Sequence, residues 1–308
     1  MSYHEGERAV QHRAGVGRGD WGSASVGPDI PAVAAAFLQD QRLIVLGAAD
    51  AGGAAWATVL TGPAGFATAV DERTVVIDAA PGLEDPLADT LTRATDVGLL
   101  AIDPTTRRRL RINGRSHSEG HRLLVRTDQV YANCPKYIQA RELLPDGRGH
   151  GPAAASRAHV GPELTGEQQR WLKAADTFFI ATYATGRGAD VSHRGGNPGF
   201  VRVQGAQHVT WPDYAGNSMY MTLGNLELTP RAGLLFVDWE RGHTLQLTGR
   251  ARTDWDPGHA AKLPGAQRLV ELDVEGVVQI DDAVPLRWRF GDHSRHNPPV
   301  GRVTADFY

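Results

Sequence analysis

The feature that most constrains the fold is an internal duplication. The segment VGLLAIDPTTRRRLRINGR (97–115) aligns without a gap with AGLLFVDWERGHTLQLTGR (232–250), at a displacement of 135 positions. Farther on, VRTDQVY (125–131) resembles LDVEGVV (272–278) at a displacement of 147. Two copies of one fold are the economical interpretation, and a chance likeness of two β-hairpins is the alternative. The identical pairs in the first alignment are Gly98/Gly233, Leu99/Leu234, Leu100/Leu235, Asp103/Asp238, Leu110/Leu245, Gly114/Gly249 and Arg115/Arg250.

Both copies show the same order of local patterns. Each begins with a short helical pattern, and the second of these opens with Thr165 and Gln168 at the spacing of a capping box. Short apolar strands separated by glycine turns follow, which favours antiparallel sheet over a βαβ fold. We therefore expect a mainly β protein with short helices (α+β), built as two tandem antiparallel split β-barrels.

Four segments follow from this duplication. We expect an N-terminal arm over 1–30, a first repeat with a degenerate site over 31–143, and a second repeat carrying the site over 164–308. The segment 144–163 is rich in Gly, Pro, Ala and Ser, which is typical of a linker.

Composition excludes several classes of protein. A hydrophobic share of 41% and a charged share of 22% are those of a globular protein in water, and a net charge of −3 favours neither nucleic acid nor an anionic membrane. The single cysteine, Cys134, excludes an internal disulfide and a Cys-rich zinc site. The start, MSYHEGERAV, has acidic residues where a signal peptide needs an apolar run, so we expect a cytoplasmic protein.

The stretch DVSHRGGNPGFVRV (190–203) is the best candidate for a binding site. It places Ser192, His193 and Arg194 directly before Gly195 and Gly196. The arginine fork suits a phosphate, and glycines allow a close approach of backbone N–H groups to an anion. A dinucleotide-binding loop is excluded, because its glycines must open a helix, whereas strand patterns flank these.

A second half-site lies downstream in YAGNSMYMTLGNLEL (214–228). A short helix is predicted to begin at Asn217 or Ser218, and a helix N-terminus is a ready anion site. The first copy lacks this chemistry: His193 and Arg194 fall on Thr58 and Val59 at a displacement of 135, and on Val59 and Leu60 at 134. Because the fold alone would not need this asymmetry, we expect one site, in the second copy.

The second copy resembles the pyridoxamine 5′-phosphate oxidase-like, FMN-binding split-barrel family over roughly residues 165–290. The likeness is carried by DTFFIATYATGRGADVSHRGGNPGFVRV, MYMTLGNLELTPRAGLLFVDWERGHTLQLTGRA and PLRWRF, and VYANCPKYIQAR (130–141) looks like a segment of fused members. The resemblance implies FMN as the cofactor and a pairing of the two barrels within one chain, with a further homodimer left open. It implies these cofactor-binding residues: Ser192, His193, Arg194, Gly195, Gly196, Asn217, Ser218, Asn225, Gln246 and Trp288. For Trp288, plain burial in the core is an equal alternative.

The resemblance further implies an FMN-dependent oxidoreductase that exchanges electrons with a small molecule, with NADH or NADPH as candidate donors. Family oxidases carry an Arg-Lys pair in the short helix where this chain has Met221 and Thr222, so we do not expect oxidation of pyridoxamine phosphate. The pattern names no catalytic acid or base. A flavin- or haem-binding module without turnover is the alternative, and for haem the cluster His293 and His296 is the first candidate ligand.

The remaining motifs predict less. The histidines of HSEGH (117–121) and HSRHN (293–297) lack further ligands nearby, so we expect solvated loops and no metal. Cys134 is followed by Pro135 and Lys136, and a structural cysteine is the alternative to a redox thiol. RRRLR (107–111) is predicted to be an exposed strand face.

Overall fold

A computed structural model describes residues 3–16, 26–132, 134–145 and 157–300. Its helices are α1 (Glu5–Arg13), α2 (Ala32–Gln39), α3 (Gly166–Ala174), α4 (Met221–Leu228) and α5 (Pro257–Ala260), with a 3₁₀ turn at Thr90–Thr92. The strands of the first half are β1 (Leu43–Ala49), β2 (Ala55–Thr61), β3 (Ala67–Asp71), β4 (Thr74–Ile77), β5 (Thr95–Asp103), β6 (Arg108–Glu119), β7 (Arg122–Ala132) and β8 (Arg141–Leu143). Those of the second half are β9 (Arg157–Gly161), β10 (Thr177–Ala184), β11 (Gly188–Gly195), β12 (Arg202–Gln204), β13 (His208–Tyr214), β14 (Arg231–Val237), β15 (Thr244–Asp254), β16 (Ala266–Asp281) and β17 (Trp288–Phe290).

The described residues form two large antiparallel sheets with the same strand order. The first runs β2-β1-β5-β6-β7-β4-β3, and the second runs β11-β10-β14-β15-β16-β13-β12. In the pair β1/β2, Leu43 lies opposite Thr61, and in the pair β10/β11, Thr177 lies opposite Gly195. Both strands of β10/β11 therefore follow their counterparts in β1/β2 by 134 positions. At this displacement Val59 and Leu60 are the counterparts of His193 and Arg194, and the first copy is apolar there.

The long hairpins repeat one irregularity. A β-bulge follows Asn113, which lies opposite Gln129, and another follows Thr248, which lies opposite Gly276. Asn113 and Thr248 are 135 positions apart, and Gln129 and Gly276 are 147 apart, which are the two displacements seen in the sequence. A bulge adds one residue to one strand and fixes the twist there. The internal duplication is therefore present in strand order, in register and in the position of the bulge.

The segments outside the two sheets contain more structure than predicted. The linker prediction was wrong for its last residues, because β9 pairs with β16 in the second sheet. Residues 146–156 of that linker and 17–25 of the N-terminal arm lie outside the described residues. The end of the first half also joins the second half, since β8 pairs with β17. The domain limits themselves stay a prediction.

The local helix signal at Thr165 is confirmed. Thr165 caps α3 and receives the backbone N–H of Gln168, whose side chain in turn accepts the N–H of Thr165. Within the described part of the chain, no helix is long and apolar enough to cross a membrane.

Two glycines allow the sheets to pack closely against each other. A Cβ at Gly98 of β5 would lie 2.5 Å from the backbone nitrogen of Val191 in β11. A Cβ at Gly233 of β14, the counterpart of Gly98, would lie 2.6 Å from the Cα of Trp56 in β2. An apolar cluster from both halves surrounds these contacts and includes Val45, Leu100, Phe179, Val191 and Leu235. The two repeats therefore pack about an approximate two-fold axis, as the subunits of a symmetric dimer do.

We expect Gly98→Ala to lower the free energy of unfolding by about 1–3 kcal/mol, because the new methyl group must displace the backbone of β11. Urea denaturation checks this. The control is Gly161→Ala in β9, where the new Cβ would lie 3.6 Å from its nearest neighbour and the change should stay within about 0.5 kcal/mol. A Gly98→Ala protein as stable as the control would contradict the packing described here.

Candidate functional site

The site is organised around β11, which forms one end of the second sheet. Side chains alternate between the two faces of a strand. Ser192 accordingly lies on one face, with its Oγ 3.1 Å from the Oγ1 of Thr222 in α4. His193 lies on the other face, edge-on to Phe179 at 5.9 Å between ring centroids. The outer edge of β11 is not paired within its own sheet, so groups from the first repeat can approach it.

A cavity of about 130 Å³ lies at this edge, between the two repeats. From the second repeat it is lined by β11 and by the segment that leads from β13 into α4. From the first repeat it is lined by Arg109, Arg111, Cys134, Lys136 and Tyr137. The predicted residues that line it are Ser192, His193, Arg194, Gly195, Asn217 and Ser218.

The prediction that RRRLR (107–111) forms an exposed strand face was wrong for two of its arginines. Arg108 is exposed and lies over the ring of Phe37, whereas Arg111 is buried and Arg109 is half-buried at the cavity. The duplication is the signal that could have found Arg111. Arg111 is the counterpart of Gln246, which the resemblance makes a cofactor-binding residue, so the repeat predicts an inward-facing side chain at Arg111 as well.

Positive charge in the cavity is only partly compensated. Arg111 forms a buried ion pair with Asp190, and Asp213 lies 3.4 Å from Arg268. Among the residues that the structure describes, no carboxylate is within 4.0 Å of the guanidinium groups of Arg109 or Arg194. A buried charge without a partner is costly, so these groups favour a bound anion.

Burial and like charges shift the pKa values of these groups. Burial, with the charges of Arg111 and Arg194 in second place, lowers the pKa of Arg109 to about 9. Burial also lowers the pKa of Arg194, although Asp213 opposes this, and burial raises the pKa of Asp213. Every one of these shifts disfavours a charged form, which is the effect of removing charges from water.

The cavity also has more hydrogen-bond donors than acceptors. Arg109 contacts His193 Nδ1 at 3.2 Å through Nη1 and donates to the carbonyl of Cys134 at 2.8 Å through Nη2. Within the described residues, the buried Nε atoms of Arg109 and Arg111 and the Nε2 atom of His193 have no hydrogen-bond partner. Buried polar groups without partners are rare, so this set indicates a site for a ligand rich in acceptors.

The two glycines have a packing role in the structure, and their contact with a cofactor stays a prediction. A Cβ at Gly195 would overlap the carbonyl oxygen of Tyr137, and a Cβ at Gly196 would lie 2.6 Å from the ring of Phe200. The N–H of Gly196 already donates to the carbonyl of Asp176 at 3.0 Å. These positions are therefore small because neighbouring segments pack on them, and Gly196 does not line the cavity.

Three further predicted residues do not line this cavity. Asn225 donates to Thr182 Oγ1 at 3.1 Å, and its Oδ1 lies 3.1 Å from His4 Nε2. Trp288 is buried, with its ring perpendicular to that of Trp239 at 5.1 Å. Gln246 lies at the symmetry-related position, where it donates to the carbonyl of Ala57 at 2.9 Å.

That symmetry-related position is filled by the protein itself. Asp85 accepts hydrogen bonds from the Oγ1 of Thr58 and, at 3.0 Å, from the Nε2 of Gln246. Thr58 and Gln246 are the counterparts of Ser192 and Arg111. Asp85 is buried, and burial raises the pKa of its carboxyl group. One of the two equivalent positions thus has uncompensated donors, while the other has a carboxyl group that already satisfies its donors.

The N-terminal helix α1 supports the wall of the cavity. A Cβ at Gly224 of α4 would lie 2.6 Å from the backbone nitrogen of Glu7, so the two helices touch. Gln11 donates to the carbonyl of Met219, a residue that lines the cavity. The side chain of Glu7 accepts the N–H of His4 at 2.8 Å, and burial raises the pKa of Glu7 to about 7.

Comparison with known proteins shows a likeness over part of the chain. Residues 164–283, less than half of the chain, match the family model described as pyridoxamine 5′-phosphate oxidase. This segment is similar to that family. The predicted fold class, mainly antiparallel β with short helices, is confirmed by the two large sheets. No curated protein sequence matches the chain.

Several solved structures resemble part of the chain. They include an FAD-binding protein from Mycobacterium smegmatis (17% identity, TM-score 0.28, covering 39% of this chain and 97% of that one). An FMN-binding protein from Syntrophomonas wolfei has 11% identity and a TM-score of 0.29, covering 37% and 84% of the two chains. HupZ from Group A Streptococcus has 13% identity and a TM-score of 0.31, covering 37% and 92%.

The short helix α4 has no positively charged side chain at positions 221 and 222. Met221 and Thr222 are buried, and they contact Tyr131 and Ser192, respectively. Among the described residues, no group of three His, Cys, Asp or Glu side chains could hold a metal ion. Of the histidines considered for haem, His293 packs on the ring of Phe290 at 4.7 Å.

The buried Glu7 beside α4 predicts a pH dependence of stability. Burial raises the pKa of Glu7 in the folded protein from the ordinary 4.5 to about 7, so the protonated carboxyl group stabilises the fold. This stabilisation is complete below pH 4.5 and is lost as the pH rises through 7. Relative to Glu7→Gln, the wild type should lose up to about 3 kcal/mol of unfolding free energy between pH 4.5 and 8. Urea denaturation of both proteins across this range measures the difference.

The matched control for this pH series is Glu167→Gln, an exposed glutamate in the first turn of α3. Its difference from the wild type should not change over the same range. A difference between wild type and Glu7→Gln that is equally flat would show that Glu7 is ionised in the folded protein.

Proposed function

We propose that the chain binds one FMN in the cavity between its repeats and uses it to transfer electrons to or from a small molecule. The observation that carries this proposal is the pair Arg109 and Arg194: among the described residues no carboxylate lies within 4.0 Å of either guanidinium group, and Asp213 acts on Arg194 only from farther away. A phosphate monoester carries about −1.5 to −2 charges at neutral pH and three acceptor oxygens. It therefore complements two guanidinium groups in both charge and hydrogen bonding.

The residues present suit the polar end of FMN. The orphaned N–H donors of Arg109, Arg111 and His193 need acceptors, and a ribityl phosphate and the flavin carbonyls are acceptors. A volume of about 130 Å³ is well below the roughly 300–1,000 Å³ of pockets that enclose a whole ligand. The cavity therefore accommodates the phosphate end and not the whole nucleotide.

Ser192, Asn217 and Ser218 complete the proposed phosphate site. They lie on β11 and on the segment before α4, where Asn217 Oδ1 accepts the N–H of Met219 at 3.2 Å. Ser218 and Tyr220 adopt left-handed backbone conformations, with φ of 58° and 56°. Such conformations cost energy and occur often where a segment must present groups to a ligand.

FMN, once bound, supplies hydride and single-electron transfer. The chain supplies the charges that hold the nucleotide, the buried wall that limits water, and a histidine ring that burial keeps neutral. Because burial and three nearby arginines lower the pKa of His193 well below 6.5, it is not the protonated acid of a reaction at neutral pH. The positions occupied by Met221 and Thr222 provide no cation for the phosphate of a vitamin B6 substrate.

We expect titration calorimetry to give one FMN per chain, because Asp85 occupies the symmetry-related position. Arg194→Ala should weaken FMN binding about ten- to a hundredfold, since a hydrogen bond to a charged group contributes about 1.5–3 kcal/mol. Riboflavin, which lacks the phosphate, should bind wild type and Arg194→Ala about equally weakly.

The control for the titration is Arg115→Ala, which removes an exposed arginine of β6 that pairs with Asp96 at 3.2 Å. It should bind FMN as the wild type does. Two flavins per chain, or an Arg194→Ala protein with wild-type affinity for FMN, would place the phosphate elsewhere. FAD, whose two phosphates are joined as a pyrophosphate with one charge each, serves as the competing nucleotide in the same titration.

The redox role has a separate test. NADH or NADPH, mixed anaerobically with the FMN-loaded protein, should bleach the visible absorption of the oxidised flavin. The Arg194→Ala protein, loaded to the same flavin occupancy, is the control that shows how much of the bleaching comes from free FMN in solution. Tight binding without bleaching by either nucleotide would favour a flavin-holding module or a different electron donor over the proposed use of NAD(P)H.

A further inference from the structure

The contact between Arg109 and His193 joins the two repeats inside the cavity. Arg109 comes from β6 of the first repeat and His193 from β11 of the second, and Arg109 Nη1 lies 3.2 Å from His193 Nδ1. An arginine side chain has only N–H donors and no acceptor. The Nδ1 atom must therefore accept, which leaves the proton of the neutral imidazole on Nε2.

The surroundings of His193 exclude the doubly protonated ring as well. The side chain is 5% exposed, and the aromatic edge contact comes from Phe179 of β10. The charged groups that act on it are Arg109 of β6, Arg194 of β11 and Arg141 of β8, all of them positive. Burial and these three charges lower its pKa, so the ring stays neutral through the physiological range.

The Nε2–H group that results has no partner. Among the described residues no acceptor lies within hydrogen-bond distance of His193 Nε2, although the atom is buried and the residue lines the cavity. An unsatisfied buried donor is destabilising, so an acceptor in the cavity would remove that cost.

We infer that Arg109 is a positioning residue that holds His193 in the Nε2–H tautomer, so that His193 donates a hydrogen bond to an oxygen acceptor of the cavity's ligand. If the ligand is FMN, as proposed above, the acceptor is an oxygen of its ribityl phosphate end. The site then selects at this point for a ligand that accepts, and rejects one that presents a donor.

The tautomer can be observed without any ligand. Two-bond ¹H–¹⁵N spectra of protein labelled at histidine distinguish Nδ1–H, Nε2–H and the imidazolium ring, and the signal missing from His193→Gln identifies His193. We expect the wild type to show Nε2–H alone from pH 5.5 to 8, conditions that bracket the ordinary histidine pKa of about 6.5. Arg109→Met should show both tautomers and a protonation midpoint closer to 6.5.

Arg109→Lys is the matched variant, because lysine also donates and cannot accept. It should keep the Nε2–H tautomer. An Nδ1–H signal in the wild type would overturn the inference, and so would an Arg109→Met protein with an unchanged tautomer. The wild-type spectrum decides the assignment even where Arg109→Met fails to fold.

The ligand part of the inference has its own measurement. FMN added to the labelled wild type should shift the Nε2 resonance of His193, and His193→Phe should weaken FMN binding about fivefold, the value of one neutral hydrogen bond. His193→Gln retains a side-chain donor and should lose less. If FMN does not bind the wild type at all, the proposed cofactor is wrong while the tautomer experiment still decides the role of Arg109. If FMN binds and His193→Phe has wild-type affinity, the donor role is wrong.

Discussion

The close packing of the two sheets at Gly98 and Gly233 is the constraint on which the rest of the structure depends. Gly98 in the first sheet lets β11 of the second repeat pack against its backbone. Gly233 in the second sheet does the same for β2 of the first repeat. That approach brings Arg111 into contact with Asp190, and Arg109 into contact with His193. Without it the cavity would have only one wall, since neither repeat alone supplies both the strand edge and the arginines.

The same approximate symmetry creates two equivalent positions, and their side chains differ in charge and hydrogen bonding. At one, within the described residues, Arg109 and Arg194 have no carboxylate within 4.0 Å, and the Nε atoms of Arg109 and Arg111 have no hydrogen-bond partner. At the other, Asp85 satisfies Thr58 and Gln246. A duplicated fold preserves the backbone geometry of both positions, because that geometry follows from sheet packing. The polar side chains are free to differ, and here they allow an anion at one position only.

The N-terminal helix adds a support that neither sheet provides. The contact of α1 with α4 requires glycine at position 224, and α1 buries the carboxyl group of Glu7 beside the cavity wall. The wall itself contains two residues with left-handed backbone conformations, Ser218 and Tyr220. The neighbouring Met219 is held by Gln11 of α1 through its carbonyl, so packing outside the domain supports the strained segment.

The sequence by itself determined the duplication and its two displacements, the class of fold, the capped start of α3 and the strand that carries Ser192, His193 and Arg194. These are local or periodic properties, which appear in residue order because sheet register repeats with the duplicated chain. Only the tertiary structure decided which side chains meet. It placed Gln246 in the second, filled position, Trp288 in the core and Arg109 and Arg111 in the cavity. The physical reason is that the cavity and its symmetry-related position are each built from the edge strand of one repeat and a strand of the other. The order of residues along the chain does not specify which strands of the two repeats meet.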